Sequence, residues 1–180
     1  MLVRLAERED ANTEAILAAA SSPYFNSEYV DVLCGLARGR ARTDAARIAA
    51  AIERARESSG FGYARSAHMV LVELAHHGAP TDTILSSIAT VDSARTGKWE
   101  WTDNGWRSEV LQALVRPERL AVLPEPEADR IAAAARDCDR PVLVALIGRA
   151  SRAALEKAAG ALDPSERKAV LDALAERSPR

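Results

Sequence analysis

The chain has 180 residues with a formal net charge of −2 at pH 7, and 48% of its residues are apolar, 28% charged and 4% aromatic. This balance excludes a disordered or membrane-embedded chain and suits one globular domain that spans residues 1–180. The slightly acidic total also excludes a surface built as a whole to attract polyanions.

No apolar run reaches the length that crosses a membrane, and the N-terminal stretch MLVRLAERED lacks the apolar core of a signal peptide. We therefore expect a cytoplasmic protein without a membrane partner. Cys34 and Cys138 lie far apart in helix-like segments. This predicts buried thiols in a reducing compartment, while a disulfide between them stays open.

Five copies of the pattern Val-Leu-x-x-Leu follow one another at intervals of about 38, 40, 32 and 28 residues. In chain order they are VLCGL, VLVEL, VLQAL, VLVAL and VLDAL, which begin at Val32, Val70, Val110, Val142 and Val170. The first, second and fifth positions of the pattern fall on one side of a helix. Each copy therefore predicts a helix with a buried apolar stripe, at the spacing of helical-hairpin repeats.

A partner helix is predicted upstream of each copy. The apolar positions of these helices are Ile16 and Leu17; Ile48 and Ile52; Ile84, Leu85 and Ile88; Ile131, Ala134 and Ala135; and Leu155, Ala158, Ala159 and Leu162. Three of the helices open on residues that favour helix starts, at Asn12-Thr13, Thr43-Asp44 and Pro80-Thr81-Asp82. The sequence thus predicts an all-α fold of ten helices in five hairpins. The segment 116–129, RPERLAVLPEPEAD, reads either as an irregular connection or as a sixth partial hairpin.

The apolar stripe, preceded by an acidic and then a basic residue, resembles the second helix of the HEAT-like family of α-solenoid repeats. The residues that carry this resemblance are Asp103 with Arg107, Asp139 with Arg140, and Asp163 with Arg167. The resemblance implies a right-handed α-α superhelix of about five degenerate HEAT/armadillo-like hairpins. Proteins of this family commonly act as scaffolds, adaptors or inhibitors, and a compact, bacterial-looking chain of this kind suits an immunity-type or regulatory protein.

The three histidines, His68, His76 and His77, lie close to Glu73 in the sequence. Glu73 and His76 have the Glu-x-x-His spacing of di-iron bundles, but such a site needs a second copy that this chain lacks. His68 and His76 are about 12 Å apart along a helix axis, too far to share a metal ion. We expect no metal and no cofactor, and we predict instead that Glu73 pairs with His77 four residues later.

The aromatic residues cluster at the turns between the helices of the first three hairpins. The residues are Tyr24, Phe25 and Tyr29; Phe61 and Tyr63; and Trp99, Trp101 and Trp106, with Glu100 and Asp103 beside the tryptophans. Trp and Tyr are common anchors of protein interfaces. The cluster is either a binding edge or a set of side chains that fold back to fill the ends of alanine-rich helices.

The binding-edge interpretation predicts a non-enzymatic protein–protein interaction module, which fits the lack of phosphate-cradling and nucleophile motifs in the sequence. Its partner-binding candidates are the aromatic residues Tyr24, Phe25, Phe61, Tyr63, Trp99, Trp101 and Trp106 with the acidic residues Glu100 and Asp103. A carrier of small ligands would use the same edge, and the sequence does not separate the two.

The stretch Trp99-Glu100-Trp101-Thr102-Asp103 has a Trp-x-x-x-Asp spacing. In this it resembles HEAT-like DNA glycosylases of the alkylation-repair type, so the alternative is an enzyme of that kind. The resemblance implies that Asp103 stabilises the cationic sugar while Trp99 and Trp106 contact the nucleotide. Phosphates would be held by Arg38, Arg40, Arg42, Arg47 and Arg54. The same arginines also read as one solvated helix face with acidic neighbours.

Overall fold

A computed structural model describes residues 1–20, 27–58, 63–94, 105–136 and 139–177, without the side chains of residues 56–58, 63–65 and 93–94. Eleven helices and no strand occur in these ranges, and one isolated bridge joins Ile147 to Ala150. The predicted all-α class is confirmed, and the predicted number of ten helices is wrong for the described residues. None of the described helices combines the length and apolar character needed to cross a bilayer.

The chain divides into two compact units, Met1–Trp101 and Thr102–Arg180. The single repeat domain predicted over residues 1–180 stays a prediction. The helices of the first unit are α1 (Leu2–Ala6), α2 (Thr13–Ala19), α3 (Ser27–Ser58), α4 (Tyr63–His76) and α5 (Thr81–Ala94). Helix α3 packs against the other four, and α4 also packs against α5.

Helix α3 runs through Thr43 and Asp44 without interruption, although the sequence predicts a helix start there. That predicted break is wrong, since no glycine or proline follows Gly39 within the helix. The described hydrogen-bond partners of the Asp44 carboxylate are side chains, as detailed below, so Asp44 does not act as a cap. The length of α3 merges two predicted helices into one, while the short α1 and the short helix Pro117–Leu120 add two, which gives eleven in the described ranges.

Helix α3 makes polar contacts with its neighbours at separate points along its length. The Arg38 guanidinium lies 2.8 Å from Glu73, near the C-terminal end of α4, and the Thr13 hydroxyl of α2 donates to Asp44 at 2.9 Å. The long helix therefore joins α2 and α4 within the first unit.

Helix α1 approaches α3 closely because two glycines of α3 face it. A Cβ atom on Gly35 would lie 3.1 Å from the Ala6 Cβ, and one on Gly39 would lie 2.7 Å from the Glu7 carbonyl oxygen. Any side chain at Gly39 would therefore collide with backbone. Ala6 is fully buried as a result of this approach.

The second unit contains helices α6 to α11. They are α6 (Gly105–Leu114), α7 (Pro117–Leu120), α8 (Glu125–Ala134), α9 (Arg140–Leu146), α10 (Arg152–Ala159) and α11 (Pro164–Arg177). Helix α9 packs against both α6 and α11, while α8 packs against α10; α9 and α10, α8 and α9, and α10 and α11 are in contact as well. These pairs describe two layers, with α6, α9 and α11 in one and α8 and α10 in the other.

The five pentapeptides form the core of their helices, as predicted. Their first, second and fifth residues are 0–7% exposed in every copy except for Leu171, which is half-buried. Ile16, Ile48, Ile84, Ile131 and Leu155 of the partner helices are likewise buried. Because each fully buried Leu or Val contributes roughly 1.5–3 kcal/mol, these stripes are a major source of apolar stabilisation.

Two other predicted helix starts are confirmed. The Asn12 side chain caps α2 by accepting a hydrogen bond from the Ala15 N–H at 3.0 Å, and α5 begins at Thr81. Segment 116–129 consists of the four-residue α7, a turn and the start of α8. It is therefore a connection with one short helix, in which Val122 is 79% exposed.

Candidate partner-binding site

Most of the residues predicted to bind a partner lie outside the described residues. These are Tyr24, Phe25, Phe61, Trp99, Glu100, Trp101 and Asp103. Tyr63 is the first residue of α4, but its side chain also lies outside the description. The structure therefore describes one side chain of the predicted set, that of Trp106.

Trp106 lies in the first turn of α6, directly after the segment that carries the other tryptophans. Its side chain is half-buried, and the indole Nε1 is buried. Tyr29, in the first turn of α3, is only 9% exposed, and burial raises the pKa of its hydroxyl. Tyr29 thus fills the protein interior, as the second interpretation of the aromatic cluster predicts, whereas Trp106 keeps part of its ring at the surface.

A buried polar cluster lies at the start of α6, next to Trp106 in the sequence. Arg107 is 6%, Ser108 7% and Asp139 2% exposed. The Asp139 carboxylate accepts the Arg136 N–H at 2.9 Å, and Gln112 Nε2 donates to the Ser108 hydroxyl at 3.0 Å. Burial raises the pKa of Asp139, although the Arg136 N–H, the Ser108 hydroxyl and the charge of Arg107 act in the opposite direction.

This cluster is not predictable from the sequence. Arg107 precedes the third pentapeptide and Asp139 the fourth, and nothing in their spacing indicates that they lie close together. A buried arginine is tolerated only with a charged or hydrogen-bonding partner. The cluster therefore fixes the first turn of α6 against the turn before α9.

In the first unit, Arg38 joins three helices. Its guanidinium lies 3.1 Å from Glu7, just after α1, and 2.8 Å from Glu73 on α4. Glu73 also pairs with His77 at 3.4 Å, which confirms the pair predicted from the sequence. Among the described residues, no group of three or more His, Cys, Asp or Glu side chains is arranged to hold a metal ion.

Two more of the predicted phosphate-binding arginines, Arg40 and Arg47, bind the Asp44 carboxylate. Arg40 Nε and Arg47 Nη1 each lie 2.8 Å from this carboxylate, and the Thr13 hydroxyl donates to it at 2.9 Å. Arg40 also donates to the Glu9 carbonyl oxygen. Asp44 itself is only 4% exposed, so this cluster is an internal connection between α2 and α3.

The remaining two predicted phosphate-binding arginines are exposed. The Arg42 side chain lies against Gly78, where an added Cβ would be 3.1 Å from the Arg42 Nε. The charge of Arg54 acts to lower the pKa of the Tyr29 hydroxyl, against the larger effect of burial. Three of the five arginines are thus engaged with carboxylates of the same chain. A phosphate at Arg38, Arg40 or Arg47 would have to compete with Glu7, Glu73 or Asp44.

Cys34 is a free thiol that is 5% exposed on α3. Burial, and secondarily the charge of Glu73, raises the pKa of this thiol to about 11, while Arg38 acts in the opposite direction. A thiol in this state is a poor nucleophile at neutral pH. Cys138 lies outside the described residues.

Comparison of the chain with protein-family models, with curated proteins and with solved structures gives no match. The HEAT-like resemblance therefore stays a prediction from the sequence.

Proposed function

We propose that the chain is a HEAT-like helical-repeat protein that binds another protein through the segment preceding α6. It acts in the cytoplasm as a scaffold, adaptor or inhibitor rather than as an enzyme. The observation that carries this proposal is the half-buried Trp106 in the same helix turn as the buried Arg107 and Ser108, which lie near the buried Asp139.

An aromatic anchor that lies on an already ordered helix turn favours binding. Ordering a loop or side chain costs about 0.5–1.5 kcal/mol for each group that is immobilised on association. Because Arg107 and Ser108 are buried against Asp139, the first turn of α6 is ordered before a partner arrives. Trp106 then offers ring surface, and the sequence adds Trp99 and Trp101 as anchors with Glu100 and Asp103 as polar contacts.

The packing of the helices supports the repeat part of the proposal. In the second unit, successive pentapeptide helices α6, α9 and α11 contact one another in order, and the partner helices α8 and α10 do the same. Stacked helical hairpins pack in this way, since each buries its apolar stripe against its neighbours. A superhelix built on this plan would carry its intra-hairpin turns along one edge.

No described contact favours the DNA glycosylase alternative. Its proposed catalytic Asp103 lies outside the described residues, and three of its five phosphate-binding arginines are paired with carboxylates. It stays a prediction whose signature would be excision of alkylated bases that depends on Asp103.

The test is a pull-down from lysate of the source cells, followed by calorimetry with the purified partner. The bait is wild-type protein, compared with a variant that carries Trp99→Ala, Trp101→Ala and Trp106→Ala. The matched control is Val122→Ala, which removes an apolar side chain that is 79% exposed in the same unit. Circular dichroism and thermal melts establish that all the proteins are folded.

We expect one partner to be captured by wild type and by Val122→Ala and to be lost by the triple variant. Calorimetry should then show a weakening of at least tenfold for Trp106→Ala alone, since a tryptophan anchor often contributes 2 kcal/mol or more. A partner bound equally by wild type and the triple variant would disprove the proposed site.

A further inference from the structure

The fifth pentapeptide differs from the other four in one position. Its second residue, Leu171, is half-buried, whereas the equivalent Leu33, Leu71, Leu111 and Leu143 are 0% exposed. Val170 and Leu174 of the same copy are buried, so α11 is packed normally on its inner side. Leu171 is therefore not covered by neighbouring side chains as the leucines at the second position of the other four pentapeptides are.

This half-covered leucine is part of a shallow groove of about 440 Å³ along α11. The groove is lined by Leu162, Pro164, Arg167, Lys168, Leu171 and Asp172. Five of these residues come from α11, at the spacing of one helix face, and Leu162 precedes the helix. Helix α11 is also the last helix of the described residues, so no later described helix packs on this face.

We propose that this α11 groove binds an acidic amphipathic helix of a partner protein. The helix would lie where the next hairpin of a repeat array would pack and would cover Leu171 as neighbouring helices cover the four equivalent leucines. Apolar residues of the partner, spaced three or four apart, would contact Leu162, Pro164 and Leu171. This is the helix-in-groove mode of recognition.

The charges along the groove determine the chemistry of the partner. Arg167 and Lys168 are both exposed beside the apolar floor, and no described carboxylate lies within ion-pair distance of either. Arg38, Arg40, Arg47 and Arg152, by contrast, are all paired with carboxylates. Carboxylates of a bound helix would neutralise the two cations, while Asp172 would disfavour an acidic residue at its own end of the groove.

The same features argue against a nucleic-acid backbone. Phosphates would gain from Arg167 and Lys168 but would leave the half-buried Leu171 uncovered and would face Asp172. An apolar floor between charged rims is the arrangement of protein interfaces.

The test titrates isotopically labelled full-length protein with a synthetic 18-residue helical peptide of leucine, alanine and glutamate. Its leucines repeat at positions i, i+3, i+4 and i+7. A second peptide has lysine in place of every glutamate, and a third has alanine in place of every leucine. We expect saturable changes in the amide resonances of residues 162–172 with the first peptide and at least tenfold weaker binding of the other two.

Variants locate the site. Lys168→Glu and Leu171→Ala should each weaken binding of the acidic peptide at least fivefold, whereas Asp172→Asn should bind as well as wild type or better. Arg149→Glu, an exposed position in the turn between α9 and α10, makes the same charge change outside the groove and should leave binding unchanged. Thermal melts keep a loss of binding separate from a loss of folding.

The proposal is overturned by any of three results. The first is no saturable change at millimolar peptide, or changes outside residues 162–172. The second is equal binding of the lysine peptide or stronger binding of an oligonucleotide. The third is self-association of the wild type that Leu171→Ala abolishes, because the groove would then hold a second copy of the chain. The groove is separate from Trp106, so these results leave the proposed function untouched.

Discussion

The Thr13 hydroxyl on α2 donates a hydrogen bond of 2.9 Å to Asp44 on α3, where Arg40 and Arg47 also bind the carboxylate. Burial acts to raise the pKa of Asp44. Hydrogen bonds from Arg40 and Thr13 and the charges of the two arginines outweigh that effect, so the pKa lies below its ordinary value of 3.8. The ionised form is therefore the one that stabilises the contact between α2 and α3.

Asp44→Asn should lower the free energy of unfolding at pH 7 by about 1–3 kcal/mol, because charged hydrogen bonds become neutral ones. Since the folded-state pKa is lowered, the stabilisation is fully present above pH 3.8 and is lost as the pH falls through the folded-state value. Urea unfolding of wild type and Asp44→Asn at several pH values checks this. The difference in the free energy of unfolding between the two proteins should become smaller in acid. A difference that does not change with pH would contradict the stabilising role of the ionised Asp44.

Thr13→Val removes the same hydrogen bond while keeping the shape of the side chain. Because Arg40 and Arg47 still hold Asp44, this change should cost less than Asp44→Asn, about 0.5–1.5 kcal/mol. A double-mutant cycle with Asp44→Asn should show that the two effects are not additive.

Gly39→Ala should destabilise the protein even though alanine favours helices by about 1 kcal/mol over glycine. The new Cβ would lie 2.7 Å from the Glu7 carbonyl oxygen, a contact that requires the chain at α1 to move. Thermal melts of Gly39→Ala in full-length protein, and in protein lacking residues 1–11, distinguish the two effects. The substitution should lower the melting temperature in the first and raise it in the second.

Leu74→Ala and Leu114→Ala should each cost about 2–5 kcal/mol, since both side chains are fully buried. The repeat offers a matched comparison at its second position, where Leu143 is 0% exposed and Leu171 is half-buried. Leu143→Ala should lower the free energy of unfolding clearly more than Leu171→Ala does. Calorimetric melts measure the difference. Equal losses of stability would mean that Leu171 is covered in solution as fully as Leu143.

The apolar stripes could be predicted because they depend on local spacing. A leucine at position i+4 from a valine falls on the same helix face wherever the helix lies, and 14 of the 15 stripe residues are buried. The pair of Glu73 and His77 was predictable for the same reason. The α2 cap at Asn12 depends only on residues three positions apart.

The continuity of α3 and the two buried polar clusters depend on residues that are distant in the sequence. Thr43-Asp44 has the residue types of a helix start, but Thr13, 31 residues away from Asp44, donates to its carboxylate. In the same way, Arg107 gives no local sign that it lies near Asp139. These residues come together only when helices that are distant in the sequence pack, so the spacing of apolar residues predicts the helices but not the polar contacts between them.

Cys34 should resist modification in the folded protein. Its thiol is 5% exposed with a pKa raised to about 11, so at pH 8 only about one thiol in a thousand is ionised. In a Cys138→Ala background, reaction with an aromatic disulfide reagent should be slow without denaturant and fast in urea. Rapid reaction of the native protein would show that α3 opens at this position.

The contribution of Asp139 to the free energy of unfolding should change with pH in the opposite direction to that of Asp44. Burial raises the pKa of Asp139 above the ordinary value of 3.8 despite the opposing charge of Arg107. The folded protein then binds the proton more tightly than the unfolded chain, so wild type loses stability as the pH rises above 3.8. Asp139→Asn avoids this penalty, and its cost relative to wild type should therefore be smaller at pH 7 than at pH 4. Urea unfolding at both pH values measures the change, with Asp172→Asn as a control at an exposed aspartate. A cost that grows with pH would instead mean that Arg107 overcomes burial and that the ionised carboxylate holds the start of α6 in place.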